Sequence, residues 1–296
     1  MSEAQMNMIL EKIASVASAA DAASDATALA ARFTGPALEL RTATYKIRAT
    51  DPSYDAPVPI PSGSASVVLP QATDQWPRTV FAIVSNPDDM TVAPMSLTLI
   101  QDTPRSDYKV YYAIPLEPNT VLPPVAPVTV GTAILPNDTK LLSETPATVA
   151  AGYADILAIG EQSPSYANFD AEGDTLRTAV GAQYKAERST GIKNTATLTF
   201  GKVAGPGKSI ALATNESGAI VSLNIRESVT AKVVVEGADV TVEGGVAAAA
   251  GLTRSLKGVE AIYDYQLLFY IPPTGDTSKI KLLGFAQGLL TAQELP

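Results

Sequence analysis

The sequence contains no cysteine and no histidine. Without cysteine the chain has no disulfide, no thiol nucleophile and no cysteine-based zinc site. Without histidine it lacks the commonest metal ligand, and both Ser-His-Asp and Cys-His catalysis are excluded. Carboxylate, lysine, tyrosine or serine–lysine chemistry is what remains. We therefore expect no metal and no cofactor, and the sequence alone points to no catalytic residue.

Basic residues are also scarce, since 21 Lys and Arg stand against 30 Asp and Glu and the net charge is −9. We expect no nucleic-acid partner, because phosphate-backbone binding needs clustered Lys and Arg. No apolar run reaches the roughly 18 residues of a membrane-spanning helix, and MSEAQMNMILEK at residues 1–12 lacks the pattern of a signal peptide. Composition alone leaves a cytosolic protein and an exported mature chain both open.

Apolar residues make up 46% of the 296 residues, which is enough for a core in one large domain or two of ordinary size.

The first segment has helical periodicity. Ser2 and Gln5 are placed as a capping box, and Gly35 and Pro36 break the helix. LRTATYKI (40–47) then predicts a short helix running into a strand.

Short apolar strands separated by Pro, Gly and Asp follow from about residue 45, a pattern typical of an antiparallel meander. A second helical segment begins near Thr145, which can cap it, with Pro146 at the first helical position. The predicted strands are SASVVLP (64–70), RTVFAIV (78–84), PMSLTLIQ (94–101), DYKVYYAIP (107–115) and the final KIKLLGFAQGLLTAQ (279–293).

Several phrases occur twice, in the same order. The matched pairs are Ala-x-Phe with LRTA (31–43 and 167–179), FAIVSN with IALATN (81–86 and 210–215), MSLTL with VSLNI (95–99 and 221–225), and DYKVYYAIP with DYQLLFYIP (107–115 and 264–272). Internal repetition of this kind predicts a duplicated unit. The first helix-plus-antiparallel-sheet domain would span residues 1–135, and the second would span residues 136–296 with an insertion near 235–258.

In each half, helical material comes before an antiparallel sheet, so we predict an α+β fold. The arrangement resembles two tandem NTF2-like or cystatin-like domains, each with an N-terminal helix packed on a curved antiparallel sheet.

Longer stretches of the chain resemble a group of uncharacterised actinobacterial lipoproteins. These stretches are QATDQWPRTVFAIV (71–84), DYKVYYAIPLEP (107–118), DAEGDTLRT (170–178), SIALATNESGAIVSLN (209–224), YDYQLLFYIPP (263–273) and KIKLLGFAQGLL (279–290). The resemblance implies an exported protein that is associated with the cell envelope through an upstream lipidated cysteine, which this chain lacks. It implies a location and carries no activity.

Four motifs come close to known functional patterns without matching them. GKVAGPGKS (201–209) has one residue too many for a phosphate-binding loop and leads into a predicted strand, so we interpret it as a hairpin loop. GFAQG (284–288) has Ala where a nucleophile elbow needs Ser, which indicates close backbone approach. DAEGD (170–174) lacks the calcium-loop spacing and predicts a solvated start of a helix. Asn-Pro-Asp-Asp at 86–89 predicts a turn.

Aromatic residues cluster in the two Asp-Tyr strands. In an uninterrupted strand Tyr108 and Tyr112 would share one face and Tyr111 would lie on the other. The cluster fits core or interdomain packing, or a ligand-binding groove. The candidate ligand-binding residues are Tyr108, Tyr111, Tyr112, Tyr265, Phe269 and Tyr270.

Charged residues recur as well. Asp107 and Asp264 begin the two Asp-Tyr phrases, and we interpret them as structural because they belong to different halves. Arg41 and Arg177 recur in LRTA, and we expect each to pair with an acidic residue of its own half.

The fold analogy and the resemblance favour a non-enzymatic cell-surface binding or scaffold protein. Its partner would be an envelope protein, a glycan or a small ligand. Two alternatives remain open: a hydrolase or isomerase that uses carboxylate or tyrosine chemistry in an NTF2-like pocket, and a self-assembling envelope component that forms homo-oligomers. A desolvated carboxylate in a deep pocket, within reach of Tyr or Lys, would favour the enzyme.

Overall fold

The computed structural model describes residues 3–86, 89, 91–192, 194–203 and 205–296. The α-helices are α1 (Glu3–Ala23), α2 (Ala26–Leu29), α3 (Gly35–Thr50), α4 (Pro146–Ile159), α5 (Thr175–Val180), α6 (Ala182–Gly191) and α7 (Gly244–Ala250). The strands are β1 (Ala65–Pro70), β2 (Arg78–Val84), β3 (Met95–Gln101), β4 (Lys109–Pro115), β5 (Ile134–Leu135), β6 (Ala196–Val203), β7 (Ile210–Ala213), β8 (Ala219–Val233), β9 (Val240–Thr241), β10 (Arg254–Ser255), β11 (Gly258–Ile271) and β12 (Lys281–Glu294). Helix and antiparallel sheet together confirm the α+β class.

The first sheet is the predicted antiparallel meander, with strand order β1-β2-β3-β4. One face of β2 and β3 packs against the apolar side of α1, around Met6, Leu10 and Ile13. The predicted course of the helical region is wrong in two respects. The first helix already ends at Ala23, well before the predicted break at Gly35 and Pro36. Pro36 lies in the first turn of α3, and LRTATYKI is helical throughout, because α3 continues to Thr50. The predicted cap Ser2 and the turn residues Pro87 and Asp88 lie outside the described residues.

The second sheet has strand order β12-β11-β8-β7-β5, and β6 pairs with the C-terminal part of β8. Helix α4 begins as predicted, since the Thr145 side chain accepts a hydrogen bond from the Thr148 N–H at 3.2 Å and Pro146 follows it. The inner side of α4 packs on β8 and β11 around Tyr153, Phe169 and Phe269. Residues 234–257, between β8 and β11, hold β9, α7 and β10.

The two sheets pack face to face, so the layers run helix, sheet, sheet, helix. Alternate residues of the central strands divide between the layers: Val80 and Ala82 contact the helices, whereas Phe81 and Ile83 contact the other sheet. Beside the apolar side chains, this inner layer holds a buried hydrogen bond of 2.8 Å between Thr98 Oγ1 and Ser222 Oγ. Among the described residues, no helix is both long enough and apolar enough to cross a membrane.

Candidate functional site

A cavity of about 360 Å³ lies where the segment after α3 meets α6 and the second sheet. Four tyrosines line it: Tyr54 from that segment, Tyr184 from α6, and Tyr263 and Tyr265 from β11. We name this cavity the tyrosine crevice. Because Tyr54 belongs to the N-terminal part of the chain and the other three to the C-terminal part, the fold as a whole forms the site.

Strand geometry aims the two β11 tyrosines at the crevice. Tyr263 and Tyr265 are two residues apart, so they share one face of the strand. Directly opposite Tyr263 in the neighbouring strand β8 lies Glu227. Two hydrogen bonds fix the position of Tyr54, one at its side chain and one at its backbone. Its hydroxyl accepts from the Leu289 N–H at 3.3 Å, and its backbone carbonyl accepts from the Arg48 guanidinium.

Glu227 and Lys185 form an ion pair beneath the tyrosines. Lys185 is only 5% exposed, and it donates to both the Glu227 carboxylate and the Leu157 carbonyl, the latter at 3.0 Å. Tyr265 also approaches Glu227, with 3.4 Å between its hydroxyl and Oε2. Burial raises the pKa of Glu227 above its ordinary value, and the Lys185 charge opposes that rise. This desolvated carboxylate is held within reach of both a Lys and a Tyr.

The hydroxyls of the two β11 tyrosines, Tyr263 and Tyr265, stay protonated near neutral pH. Burial raises the pKa of Tyr263 and of Tyr265, and the Glu227 charge adds to the rise at both. At the mouth, the exposed Arg188 donates to the Tyr184 hydroxyl at 3.1 Å and faces the Tyr184 ring. The crevice therefore offers aromatic faces, neutral hydroxyls and a charged rim.

Two further cavities adjoin the crevice. One, of about 300 Å³, shares Tyr54 and Gln287 with it, and the other, of about 360 Å³, shares Arg188 and Tyr263. Among the described residues, no three carboxylates gather into a group that could hold a metal ion.

Of the six predicted ligand-binding aromatics, only Tyr265 lines the tyrosine crevice. Tyr108 lines a separate cavity beside α1. The structure places Tyr111, Tyr112 and Tyr270 between the two sheets. The remaining residue, Phe269, is fully buried against α4, with its ring centroid 5.0 Å from that of Tyr153. The six do not form one groove, and a ligand-binding role for each stays a prediction.

The predicted facing of the first Asp-Tyr strand is wrong, because β4 contains a β-bulge. Thr98 pairs with Tyr112 and Leu99 pairs with Val110, so Tyr111 is the extra residue. Tyr108 consequently packs toward the helices, while Tyr111 and Tyr112 both contact the inner layer. Both hydroxyls hydrogen-bond to the backbone of Lys208, in the loop that precedes β7. Tyr112 donates to the Lys208 carbonyl at 2.9 Å, and Tyr111 accepts from the Lys208 N–H at 3.0 Å.

The repeated acidic residues lie in unlike surroundings. The side chain of Asp107 is 62% exposed and pairs with Arg32 at 3.1 Å. Asp264 is fully buried, and its Oδ1 accepts from Asn224 at 2.7 Å and Arg226 at 3.2 Å. Burial raises the pKa of Asp264, and hydrogen bonds from Asn224 and Arg226 act against the rise. The two carboxylates share no cleft.

The repeated arginines pair as predicted, each within its own half. Arg41 contacts Asp21 at 2.5 Å, and Arg177 contacts Asp174 at 2.7 Å. The predicted solvated helix start at DAEGD is confirmed for Ala171, Glu172 and Gly173, which are exposed, and wrong for Asp174, which caps α5 from a buried position. Its carboxylate accepts hydrogen bonds from the Tyr153 hydroxyl at 2.8 and 2.9 Å, in addition to Arg177.

Both glycine-containing motifs are structural. SIALAT contains β7, as predicted, although Ala204 of the preceding loop lies outside the described residues. GFAQG lies within β12 and allows the close backbone approach expected of it. A Cβ on Gly284 would lie 2.3 Å from the Pro115 carbonyl oxygen.

Sequence reasoning missed Tyr54, Tyr184 and Glu227 as members of one site. The sequence of β11 does contain a local indication of the site, because Tyr263 and Tyr265 flank Asp264 and so share one face of the strand. The predicted ligand-binding residues include only Tyr265 of this pair. Nothing local links Tyr54 to Tyr184, which lies 130 positions away (184−54). These residues meet only after the two sheets pack.

A family model described as Domain of unknown function (DUF8094) matches residues 1–294 of the chain. No curated protein and no solved structure matches the chain.

Proposed function

We propose that this chain, which belongs to the family of the domain of unknown function DUF8094, is a non-enzymatic binding protein that holds a small, neutral, hydroxyl-rich ligand such as a glycan unit in the tyrosine crevice. The observation that carries the proposal is the convergence of four tyrosines on one cavity. Its volume, about 360 Å³, falls in the lower part of the range for small-molecule sites, roughly 300–1,000 Å³.

The charges around the crevice favour a ligand without net charge. Arg188 and the buried Lys185 contribute two positive charges, and Glu227 and Asp55 contribute two negative ones. Tyrosine rings offer apolar faces to the C–H side of a sugar ring, while hydroxyl, amide and carboxylate groups hydrogen-bond its hydroxyls. Such a balance suits a polyhydroxylated ligand better than an anion or a cation.

The binding proposal is tested by a thermal-shift screen of neutral mono- and oligosaccharides, followed by calorimetry on any hit. Tyr184→Ala removes an aromatic wall on the surface of α6. Tyr166→Ala, which removes a tyrosine outside the crevice, is the matched control. We expect Tyr184→Ala to weaken binding by about tenfold, equivalent to about 1.4 kcal/mol, and Tyr166→Ala to leave it unchanged. Equal affinity in both variants would rule out the crevice as the site.

A second candidate function is an enzyme of the hydrolase or isomerase class. The raised pKa of Glu227, in contact with Lys185 and close to Tyr265, favours it. Against this role, Lys185 already holds the carboxylate as its ion-pair partner. Glu227→Gln distinguishes the two functions, because it would abolish turnover of a bound ligand in an enzyme. In a binding protein, neither the wild type nor Glu227→Gln would turn over the ligand.

We also propose that the protein is a surface lipoprotein of an actinobacterial envelope. The support is the sequence resemblance of the stretches described above. The test is lipid labelling and cell fractionation of the full-length gene product. A product that carries neither signal peptide nor lipidated cysteine would contradict this localisation.

We further propose that the two halves are tandem NTF2-like or cystatin-like domains, divided near residues 135 and 136. The support comes from strand order: the phrases that recur fall on β2, β3 and β4 in one sheet and on β7, β8 and β11 in the other, adjacent in the same order. An experimental structure tests the proposal, because duplicated domains would superpose along these six strands.

A further inference from the structure

A second cavity, of about 540 Å³, lies on the first half beside α1, away from the tyrosine crevice. It is lined by Gln5, Met8, Ile9, Lys12, Arg32, Arg78, Asp107 and Tyr108. We name it the basic cavity. Its chemistry differs from that of the crevice, because three of its eight lining residues are cations and only one is an anion.

The charge of the basic cavity is opposite to that of the whole chain. Lys12, Arg32 and Arg78 against Asp107 leave a surplus of two positive charges, whereas the chain as a whole carries −9. A local positive surplus in an acidic protein concentrates anions at that place.

Arg32 is built into the cavity wall. It is only 7% exposed, and its carbonyl accepts a hydrogen bond from the Val110 N–H at 2.8 Å, which fixes its backbone to β4. Within the described part of the chain, its guanidinium contacts one partner, Asp107 at 3.1 Å. A guanidinium has five N–H donors in a planar fork, so this single contact leaves donors for a second anion.

Arg78 is also held in place, but it has no counter-ion among the described residues. Its guanidinium carbon lies 4.0 Å from the centre of the Trp76 ring. Trp76 is fixed in turn, since its Nε1–H donates to Gln101 at 3.2 Å. The Arg78 Nε is buried and finds no hydrogen-bond partner in the described structure. Arg78 lines the cavity without a counter-ion among the described residues, so its guanidinium is a donor for an anion bound there.

Apolar and aromatic groups lie beside these cations. Met8 is 62% exposed, and Ile9 and Tyr108 line the same cavity. Burial raises the pKa of the Tyr108 hydroxyl, and the charge of Arg78 acts against the rise, so the two side chains are electrostatic neighbours. The cavity thus offers a surface for an organic group next to a site for an anion.

We infer that the basic cavity binds the phosphoryl group of an organic phosphate, with Arg32 and Arg78 as the main donors and Lys12 at the rim. Arginine forks match phosphate oxygens in a bidentate manner, which makes phosphate the anion best suited to this site. The organic part of the ligand would lie against Met8 and Tyr108. A soluble phosphomonoester and the headgroup of an anionic phospholipid share this chemistry.

Trp76 is the only tryptophan of the chain, so its fluorescence reports on Arg78 directly. The full chain is titrated with inorganic phosphate and with glycerol 3-phosphate, and with chloride at equal ionic strength to control for salt. Calorimetry repeats the titrations without relying on fluorescence. We expect a saturable change with the phosphates and none with chloride.

Two variants test the residues. We expect Arg78→Gln to weaken phosphate binding by about tenfold or more, and Lys12→Gln, on the exposed side of α1, to weaken it by a smaller factor. The matched control is Arg254→Gln, which removes an exposed arginine that pairs with Asp239 elsewhere. Unchanged affinity in Arg78→Gln and Lys12→Gln, with both folded by circular dichroism, would overturn the assignment.

A vesicle assay separates the two sources of phosphate. Wild type and Arg78→Gln are sedimented with vesicles of phosphatidylcholine alone and of phosphatidylcholine with phosphatidylglycerol. Retention by the anionic vesicles that Arg78→Gln loses would identify a lipid headgroup, and saturable binding of free phosphate without retention would identify a soluble ligand. The absence of both would refute the site, whatever the tyrosine crevice binds.

Discussion

Thr98 Oγ1 and Ser222 Oγ lie 2.8 Å apart in the buried layer between the sheets, although 124 residues separate them in the chain. Both side chains belong to central strands, β3 and β8, and both are at most 2% exposed. The hydrogen bond therefore joins the two halves at the middle of their shared interface.

The Thr98–Ser222 hydrogen bond should give a measurable coupling energy. Thr98→Val or Ser222→Ala alone leaves one buried hydroxyl without its partner, and we expect each to cost about 1–3 kcal/mol. The double variant should be more stable than the sum of the single effects predicts, by about 0.5–1.5 kcal/mol. Urea denaturation of the four proteins measures this cycle. Strict additivity would mean that the two hydroxyls do not interact in solution.

Asp264 should make stability depend on pH. Its pKa is raised in the folded state because the carboxyl is buried, and hydrogen bonds from Asn224 and Arg226 offset only part of that effect. The stabilising contribution of the protonated form is then complete below the unfolded pKa, about 3.9, and is lost as pH rises through the folded value. We expect the stability difference between wild type and Asp264→Asn to be most favourable to wild type at acid pH. A difference that grows with pH would contradict this.

The two Tyr–Asp–Arg networks should differ in strength. Tyr153 donates to the buried Asp174, and Tyr45 donates to Asp21 at 2.5 Å, whose side chain is 19% exposed. Tyr153→Phe leaves a buried carboxylate short of a donor, so we expect a loss of about 1–3 kcal/mol. Tyr45→Phe should cost less, because water can reach Asp21. Chemical denaturation ranks the two, and the reverse order would show that burial does not control these networks.

Gly284 should not tolerate a side chain. Its backbone forms a bridge with Leu116 where β12 meets the end of β4, and an added Cβ would lie 2.3 Å from the Pro115 carbonyl oxygen. We expect Gly284→Ala to destabilise the fold by about 1–3 kcal/mol, as overpacking does. Gly288→Ala is the matched control in the same strand, since its Cβ would meet the Leu40 side chain, which can move. Equal thermal stability of the two variants would disprove the steric account.

Much of the secondary structure could be predicted from the sequence, because it follows from local pattern. The strands of the first sheet and the start of α4 at Thr145 agree with alternation and capping chemistry. The strand predicted within LRTATYKI was wrong. Its β-branched and aromatic residues are typical of a strand, but in the structure they form a helical face that packs in the core through Tyr45 and Ile47. Packing overrode local propensity there.

The candidate site could not be predicted to the same degree. The tyrosine crevice combines Tyr54, Tyr184 and Tyr263, and each comes from a different element. Local patterns identify the elements but not which of their faces meet. In the basic cavity the same holds for Arg32 and Arg78, which lie 46 positions apart (78−32) and meet because the Arg32 backbone is hydrogen-bonded to β4 of the sheet that contains Arg78.

The bulge at Tyr111 has a consequence for the relation between the two Asp-Tyr strands. Before it, even-numbered residues of β4 face the helices, and after it, even-numbered residues face the other sheet. Its counterpart β11 keeps one alternation against β8 throughout. A single residue thus acts as a phase shift: if the same residues alternated regularly from Val110, Tyr112 and Ile114 would face the helices instead of the second sheet. The union of the halves therefore depends on the backbone conformation at one residue as much as on the chemistry of its neighbours.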